Sequence, residues 1–277
     1  MEIVVARSAG FCMGVRRAVG IAREAAAEEQ GEVFTNGPLI HNPQALEKLR
    51  REGVIPLGDE EAVPPAAVIV RAHGIPPETR DRLQRQATRV VDATCPKVAT
   101  IQKKIAKYSA NGYAVVIAGD ADHPEVVGLL GYARGGAHVV SDAAAVAELP
   151  PLGKVLLVAQ TTQDEEIFEA IRRRVLERFP GAQALSTICQ STHRRQTEVR
   201  QMAGEVDAMV VIGGRNSANT CRLAEICRHL GTPAYHVETA EELPLAELRQ
   251  LSRVGVTAGA STPADVIEQV VERLRDA

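Results

Sequence analysis

Tryptophan is absent from this 277-residue chain, and aromatic residues make up only 3% of it. A nucleobase or flavin ring would therefore find few faces to stack on. There is no G-x-x-x-x-G-K-[ST] loop and no G-x-G-x-x-G turn, which removes the commonest nucleotide signatures. The five cysteines include no C-x-x-C pair, so neither a zinc knuckle nor a bacterial-ferredoxin cluster loop is written in the sequence. Five is an odd number and the spacing is wide, which argues against a disulfide framework and for reduced thiols. No apolar run approaches the roughly 18 residues of a spanning helix, and the first residues lack a basic segment followed by an apolar one. A cytoplasmic location is expected. The formal charge of −3 and a pI near 6.2 supply no basic field for nucleic acid or an anionic membrane, so neither is expected as a partner.

What is present is repetition. With 45% hydrophobic residues the chain can bury a sizeable core, and three stretches within it share one plan. Glu2-Ile-Val-Val-Ala-Arg leads through Gly10-Phe11 to Cys12, Thr88-Arg-Val-Val-Asp-Ala-Thr leads to Cys95, and Gln183-Ala-Leu-Ser-Thr-Ile leads to Cys189. In each, an apolar strand hands over to a helix at the cysteine. The spacings are 83 and 94 positions, with 88 residues after Cys189. A near-constant period of that size predicts three copies of one α/β unit with mostly parallel sheets, each giving one thiol from the same place. The expected units run 1–95, 96–189 and 190–277.

Polar residues gather where strands end. His41-Asn-Pro43 and Ala72-His73-Gly-Ile-Pro76 follow apolar runs, and the strand Tyr113–Gly119 leads to His123-Pro-Glu125. Asn or His before Pro reads as a helix start, where free N–H groups and the helix dipole favour an anion. Lys154–Gln160 leads to Thr161-Thr162, read as a Thr cap with acids in the following turn. In the last unit, Gly213-Gly214 precedes Ser217-Ala218-Asn219, and Ala258-Gly-Ala precedes Ser261. In an alternating α/β chain these positions fall at the carboxyl ends of parallel strands, where such folds bind ligands.

Each feature has a plainer reading: a buried cysteine as a small hydrophobe, a histidine or serine as a cap, a first-turn glutamate as a dipole partner. Three cysteines at one structural position favour metal. They can hold three irons of a [4Fe–4S] cubane whose fourth iron lacks a protein ligand, giving an electron carrier that is also a Lewis acid. Zinc with three thiolates and one water fits the same count. Cys221 and Cys227 read as core or weak surface thiols. His41, His73, His123, Ser217, Asn219 and Ser261 supply imidazole, hydroxyl and amide donors with no carboxylate among them, a set suited to a diphosphate bound without magnesium. Glu125 is the one carboxylate beside a candidate ligand histidine, and in a closed site it could relay protons, with Thr161 passing them to a substrate oxygen.

Taken together, these motifs resemble the 4-hydroxy-3-methylbut-2-enyl diphosphate reductase family, which acts last in the methylerythritol phosphate route to isoprenoids. The matching pieces are Gly10-Phe-Cys12-Met-Gly-Val-Arg-Arg-Ala-Val19, His41-Asn42, Ala72-His73-Gly74, Asp92-Ala-Thr-Cys95-Pro96, His123-Pro-Glu125-Val with Gly128, Gln160-Thr161-Thr162, Thr187-Ile-Cys189 with Arg195-Gln196, Asn216-Ser217-Ala218-Asn219 and Gly259-Ala-Ser261. The resemblance implies a trefoil of three domains around a [4Fe–4S] cluster on Cys12, Cys95 and Cys189, with the substrate hydroxyl on the unique iron. It implies diphosphate held by His41, His73, His123, Ser217, Asn219 and Ser261, and protons delivered by Glu125 with Thr161. It also implies two electrons from ferredoxin or flavodoxin, the chain having no flavin or nicotinamide motif of its own. The chain departs from the pattern at Ala218, where the family has serine and only a backbone N–H remains, and at Ser186 and Ser191, where the family has Asp and Ala. A non-redox hydro-lyase using the open iron on a phosphorylated substrate, and a zinc-stabilised binding module, are the competing readings.

Overall fold

The structure, a computed structural model, describes residues 1–29, 31–58 and 62–276. In chain order the first elements are β1 (Glu2–Val5), α1 (Met13–Glu28), β2 (Val33–Asn36), α2 (Pro43–Arg51), β3 (Val54–Leu57), β4 (Ala67–Val70), α3 (Pro77–Gln86) and β5 (Arg89–Asp92). Next come α4 (Pro96–Ala110), β6 (Tyr113–Ala118), α5 (Pro124–Leu130), β7 (Ala137–Val140), β8 (Lys154–Ala159), α6 (Glu165–Arg178) and β9 (Gln183–Ala184). The last are α7 (Gln190–Ala203), β10 (Ala208–Ile212), α8 (Ala218–His229), β11 (Ala234–Val237), α9 (Leu245–Leu248), β12 (Arg253–Ala258) and α10 (Ala264–Arg275).

The strands form three four-stranded sheets in which every pairing is parallel. Written from one edge, the orders are β5-β4-β2-β3, β9-β8-β6-β7 and β1-β12-β10-β11, so all three follow one plan. In each sheet the edge strand leads to a cysteine: β5 to Cys95, β9 to Cys189, β1 to Cys12. The three α/β domains with parallel sheets are therefore present. The strand leading to Cys12, β1, pairs with β12, Val4 opposite Gly255, and so completes the sheet of the C-terminal strands. A repeat of fixed period can be cut anywhere, and only pairing reveals where each copy begins.

The chain divides into two compact units. One comprises residues 1–16, 40–48 and 190–277 and holds the β1-β12-β10-β11 sheet; the other comprises 17–39 and 49–189 and holds the remaining two. In both, the central strands β4, β6, β8, β10 and β12 are mostly apolar, because helices cover both faces. Alternation divides their side chains between two cores. On one face of the β9-β8-β6-β7 sheet, Val116, Leu157 and Ala159 pack with Phe168, Ile171 and Val175 of α6. On the other, Val115, Ile117, Leu156 and Val158 pack with Ile101 and Ile105 of α4 and Leu129 of α5. In the first unit, Val210, Ile212 and Val256 face α10, while Met209 and Val211 face α7 and α8.

Proline fixes several helix starts, at Pro77, Pro96 and Pro124, where its missing N–H has no intrahelical partner to lose. The cap of α6 differs from expectation. Asp164 accepts from the amides of Glu166 (2.8 Å) and Ile167 (3.1 Å), which releases Thr161 from capping. The strand expected to run to Ile188 stops at Ala184. Beyond it the hydroxyl of Thr187 takes over the ladder, accepting from the Ala159 N–H at 2.7 Å and donating to its carbonyl at 2.6 Å.

Candidate active site

In the unit built on residues 17–39 and 49–189, the loop after β6 places His123 as the N-cap of α5 and Glu125 in its first turn. Glu125 is buried, 3% exposed, and two bonds hold its carboxylate. The amide of Thr161 donates to Oε1 and the Thr161 hydroxyl to Oε2, both at 2.6 Å. Nδ1 of His123 accepts from the Glu125 amide at 3.1 Å. Accepting there leaves Nε2 as the ring's proton-bearing nitrogen. The rings of His73 and His123 meet edge to face, with centroids 5.5 Å apart. Gln160, fully buried, sets the loop that precedes His123 by accepting from the Asp120 amide and donating to Thr162 Oγ1.

In the other unit, Ser261 Oγ donates to the His41 carbonyl at 3.0 Å. The same carbonyl lies 2.7 Å from where a Cβ on Gly214 would stand, so only glycine lets the loop after β10 approach it. Asn42 caps α2 through the Ala45 amide, and Ser217 caps α8, its hydroxyl accepting from Thr220. Asn219 is 4% exposed, and both atoms of its amide are buried without a hydrogen-bond partner. A native interior rarely tolerates that unless a ligand completes it. Ala218 begins α8 beside it.

The three predicted cysteines obey a common rule. Each immediately precedes the first residue of a helix: Met13, Pro96 and Gln190. Each donates its backbone N–H to the loop following the neighbouring strand of its own sheet. Cys12 bonds the Ala260 carbonyl (3.1 Å), Cys95 that of Ala72 (2.9 Å), and Cys189 that of Thr161 (2.9 Å). Those carbonyls belong to Thr161 itself and to the residues preceding Ser261 and His73, so in every sheet a thiol is tied to a predicted polar site residue. None of the three is in a disulfide and all are half-buried. The Val15 amide donates to Cys12 Sγ at 3.4 Å. The remaining thiols lack this environment. Cys227 is fully buried and burial pushes its thiol up to about 11, while Cys221 is raised as well, again chiefly by burial. Both stay protonated at neutral pH and unsuited to metal.

Two residues that hold the Cys12 loop have no role assigned from sequence. Arg195 on α7 is buried, and its guanidinium donates to the Gly10 carbonyl, to Ser191 Oγ and to the Ser191 carbonyl. One turn on, Glu198 accepts from the Arg7 amide (2.7 Å), the Ser8 amide (2.9 Å) and the Ser8 hydroxyl. Ser191, one of the departures from the family pattern, is thus a partner of Arg195. Charges on a helix read as a solvated face; only the bend of residues 6–12 onto α7 shows otherwise.

Three repeated parallel sheets, each offering a thiol at a helix start, and a buried carboxylate hydrogen-bonded to a hydroxyl place the chain among α/β enzymes. Comparison with known proteins gives the family. The profile of the LytB protein family matches residues 3–275, and this chain belongs to that family. Among its relatives, the 4-hydroxy-3-methylbut-2-enyl diphosphate reductase of Geobacter sulfurreducens is 48% identical over 276 residues, covering 100% of this chain and 98% of that one. The enzyme of the same name from Aquifex aeolicus is 44% identical, covering 100% and 96%. The solved structure of the E-1-hydroxy-2-methyl-but-2-enyl-4-diphosphate reductase from Plasmodium falciparum superposes with a TM-score of 0.94 at 26% identity, covering 98% of this chain and 87% of that one.

Proposed function

We propose that this chain is a 4-hydroxy-3-methylbut-2-enyl diphosphate reductase that removes the allylic hydroxyl of (E)-4-hydroxy-3-methylbut-2-enyl diphosphate to give isopentenyl and dimethylallyl diphosphate. Membership of the LytB family and the relatives' shared name support the reaction. The observation that carries the site is the tie between each cysteine amide and a polar loop of its own sheet.

Cys12, Cys95 and Cys189 are the residues that would hold a [4Fe–4S] cluster, and the donor set fits one: three thiols, none in a disulfide, each at a helix start, with an N–H directed at one sulfur. Such a cluster, three of its irons on cysteine, supplies single electrons and a Lewis-acidic iron. The protein does the rest. His41, His73 and His123, the Ser217 and Ser261 hydroxyls, the Asn219 amide and the backbone N–H of Ala218 are a donor set for the diphosphate, strengthened by the helix N-termini on which several of them sit. The unpartnered Asn219 amide gains its hydrogen bonds only when that anion is present.

Proton delivery falls to Glu125 and Thr161. With the carboxylate ionised, Thr161 Oγ1 donates to Oε2. When Oε2 takes up a proton the bond reverses, and the threonine hydroxyl turns its own proton toward the substrate oxygen. The balance is one C–O bond broken, two electrons and two protons consumed, one C–H bond formed and one water released. Ferredoxin or flavodoxin would supply the electrons, and the reaction would take place in the cytoplasm. Among the described residues no helix is long and apolar enough to cross a membrane.

The test is anaerobic turnover of the substrate with dithionite and a viologen dye, following dye oxidation and both products. Product formation coupled to two oxidised dye molecules is expected. Turnover without electrons would indicate a hydro-lyase, and bound zinc without turnover a structural metal; either would overturn the proposal.

A further inference from the structure

Lysine is scarce in this chain. The six are Lys48, Lys97, Lys103, Lys104, Lys107 and Lys154, and four of them stand on α4, the helix that begins directly after Cys95. All four are exposed, while Val98, Ile101, Gln102, Ile105 and Ser109 form the buried face of the helix. Among the described residues, α4 is the one helix of eight or more residues that carries no acid. Elsewhere charges are mixed: α6, for example, pairs Arg172 with Glu169 and Arg174 with Glu177. The two lysines outside α4 are engaged, Lys48 with Asp265 and Lys154 over the ring of Tyr113. Exposed Arg17 adds a cation at the head of this helix, donating to the Thr94 carbonyl at 3.2 Å, one residue before Cys95.

We infer that the outer face of α4 is the docking surface for an acidic one-electron carrier protein, an iron–sulfur or flavin protein in its reduced form. The inference rests on the reductase reading, which requires such a donor. At a rise of about 1.5 Å per residue, Lys97 to Lys107 spans about 15 Å, the scale of the small transient interfaces of redox partners. An acidic carrier meets a protein of net charge −3, and a stripe of four lysines with no acid on the same helix steers it to one orientation. Lysine suits brief encounters, being a hydrated point charge on a flexible stem rather than a rigid fork. The stripe begins two residues after Cys95, so the docked carrier sits at the end of the helix that abuts a proposed cluster ligand. Each docking transfers one electron from carrier to cluster, leaving the carrier oxidised by one electron, and two dockings serve one turnover. Four lysines do not suit a nucleic acid on a chain of net negative charge with so few aromatic faces for bases to stack on. No large exposed hydrophobic lies on α4, as insertion into a membrane surface would need.

The test uses the anaerobic holoenzyme and the triple variant Lys97→Glu, Lys104→Glu, Lys107→Glu, with the corresponding triple Arg variant as rescue. Steady-state kinetics are measured with reduced ferredoxin and with reduced flavodoxin between 50 and 300 mM salt (values chosen to bracket a Debye length of about 10 Å), and with a viologen dye. Carrier binding is measured separately by titration calorimetry. The expected result is an about tenfold or greater rise in carrier KM and Kd in the Glu variant, a flattened salt dependence, viologen-driven kcat within about twofold of wild type, and wild-type behaviour in the Arg variant. Unchanged carrier KM, Kd and salt slope alongside normal viologen turnover would overturn the assignment. So would loss, in the Glu variant, of binding to phosphatidylserine vesicles or single-stranded RNA with carrier kinetics intact. Carrier binding that weakens in the Glu variant, in a wild-type protein that reduces no substrate with any donor, would support the face and count against the reductase reading alone.

Discussion

Thr161→Val keeps the shape of the side chain and removes one atom's chemistry, the hydroxyl donated to Glu125 Oε2 at 2.6 Å. The Thr161 amide still reaches Oε1 at 2.6 Å, and its carbonyl still receives the Cys189 amide, so the backbone scaffold is untouched. What remains is a carboxylate 3% exposed that has lost the Thr161 hydroxyl bond to Oε2. A hydrogen bond to a buried charged group contributes roughly 1.5–3 kcal/mol, which at about 2–4 °C per kcal/mol predicts a melting temperature lower by about 3–12 °C. Removing a relay from the proton path should cost about 10²–10⁴ in kcat, with a smaller change in KM. Thr161→Ser keeps the hydroxyl and should recover most of both. The assay is dithionite-driven turnover beside a thermal melt of the same anaerobic preparations. A lower melting temperature with unchanged kcat would make the hydroxyl a structural strut only and refute the relay; an unchanged melt and unchanged kcat would refute the bond's importance altogether.

Other consequences follow from individual contacts. Asn219→Leu replaces a buried amide that lacks partners, so the protein should melt at or above the wild-type temperature while KM for the diphosphate substrate rises about tenfold or more; a lower melting temperature with unchanged KM would show that the amide serves the fold and not the anion. Arg195→Ala should leave the Gly10 carbonyl and Ser191 without their donor and loosen the Cys12 loop, seen as faster iron release to a chelator, with Arg195→Lys recovering part because it lacks the fork that serves both partners; equal release rates would contradict this. Burial alone would raise the Glu198 carboxyl, but the Ser8 hydroxyl and the Ser8 and Arg7 amides hold it below the ordinary glutamate value of 4.5. With the folded value depressed, the stabilisation is present above about pH 4.5 and disappears as the pH falls through the folded value. Glu198→Gln should therefore lose less stability than wild type between pH 6 and pH 3.5 in melts; parallel curves would contradict it. Leu157→Ala, in the core between β8 and α6, should cost about 2–5 kcal/mol in urea unfolding, and a cost below about 1 kcal/mol would contradict the packing described.

The three cysteines at helix starts were legible because an apolar strand run ending on a cysteine just before a helical pattern is a local signal. The pairing of β1 with β12 was not legible, since the period of the cysteines is the same however the repeat is cut and partner choice is set by contacts some 250 positions apart in sequence. Strand propensity carried the expected third cysteine strand through Ile188, yet the hydroxyl of Thr187 supplies the ladder bonds there instead. Glu125 and Thr161 were legible as a pair, and the two hydrogen bonds between them give that pairing its geometry. Arg195 and Glu198 escaped notice as structural residues because burial of a charge is decided by what folds over it, here the loop between β1 and α1.

The central claim is that Cys12, Cys95 and Cys189 act together as the ligands of one cluster, and iron and sulfide quantitation with visible spectra tests it most directly. The proteins are wild type, Cys12→Ser, Cys95→Ser and Cys189→Ser, prepared anaerobically and reconstituted, with Cys221→Ser and Cys227→Ser as controls. Near-stoichiometric cluster in wild type and both controls, lost or depleted of iron in each of the three variants, is the predicted result. Wild type that takes up no iron and sulfide, or a cluster indifferent to any one of the three, would contradict the account.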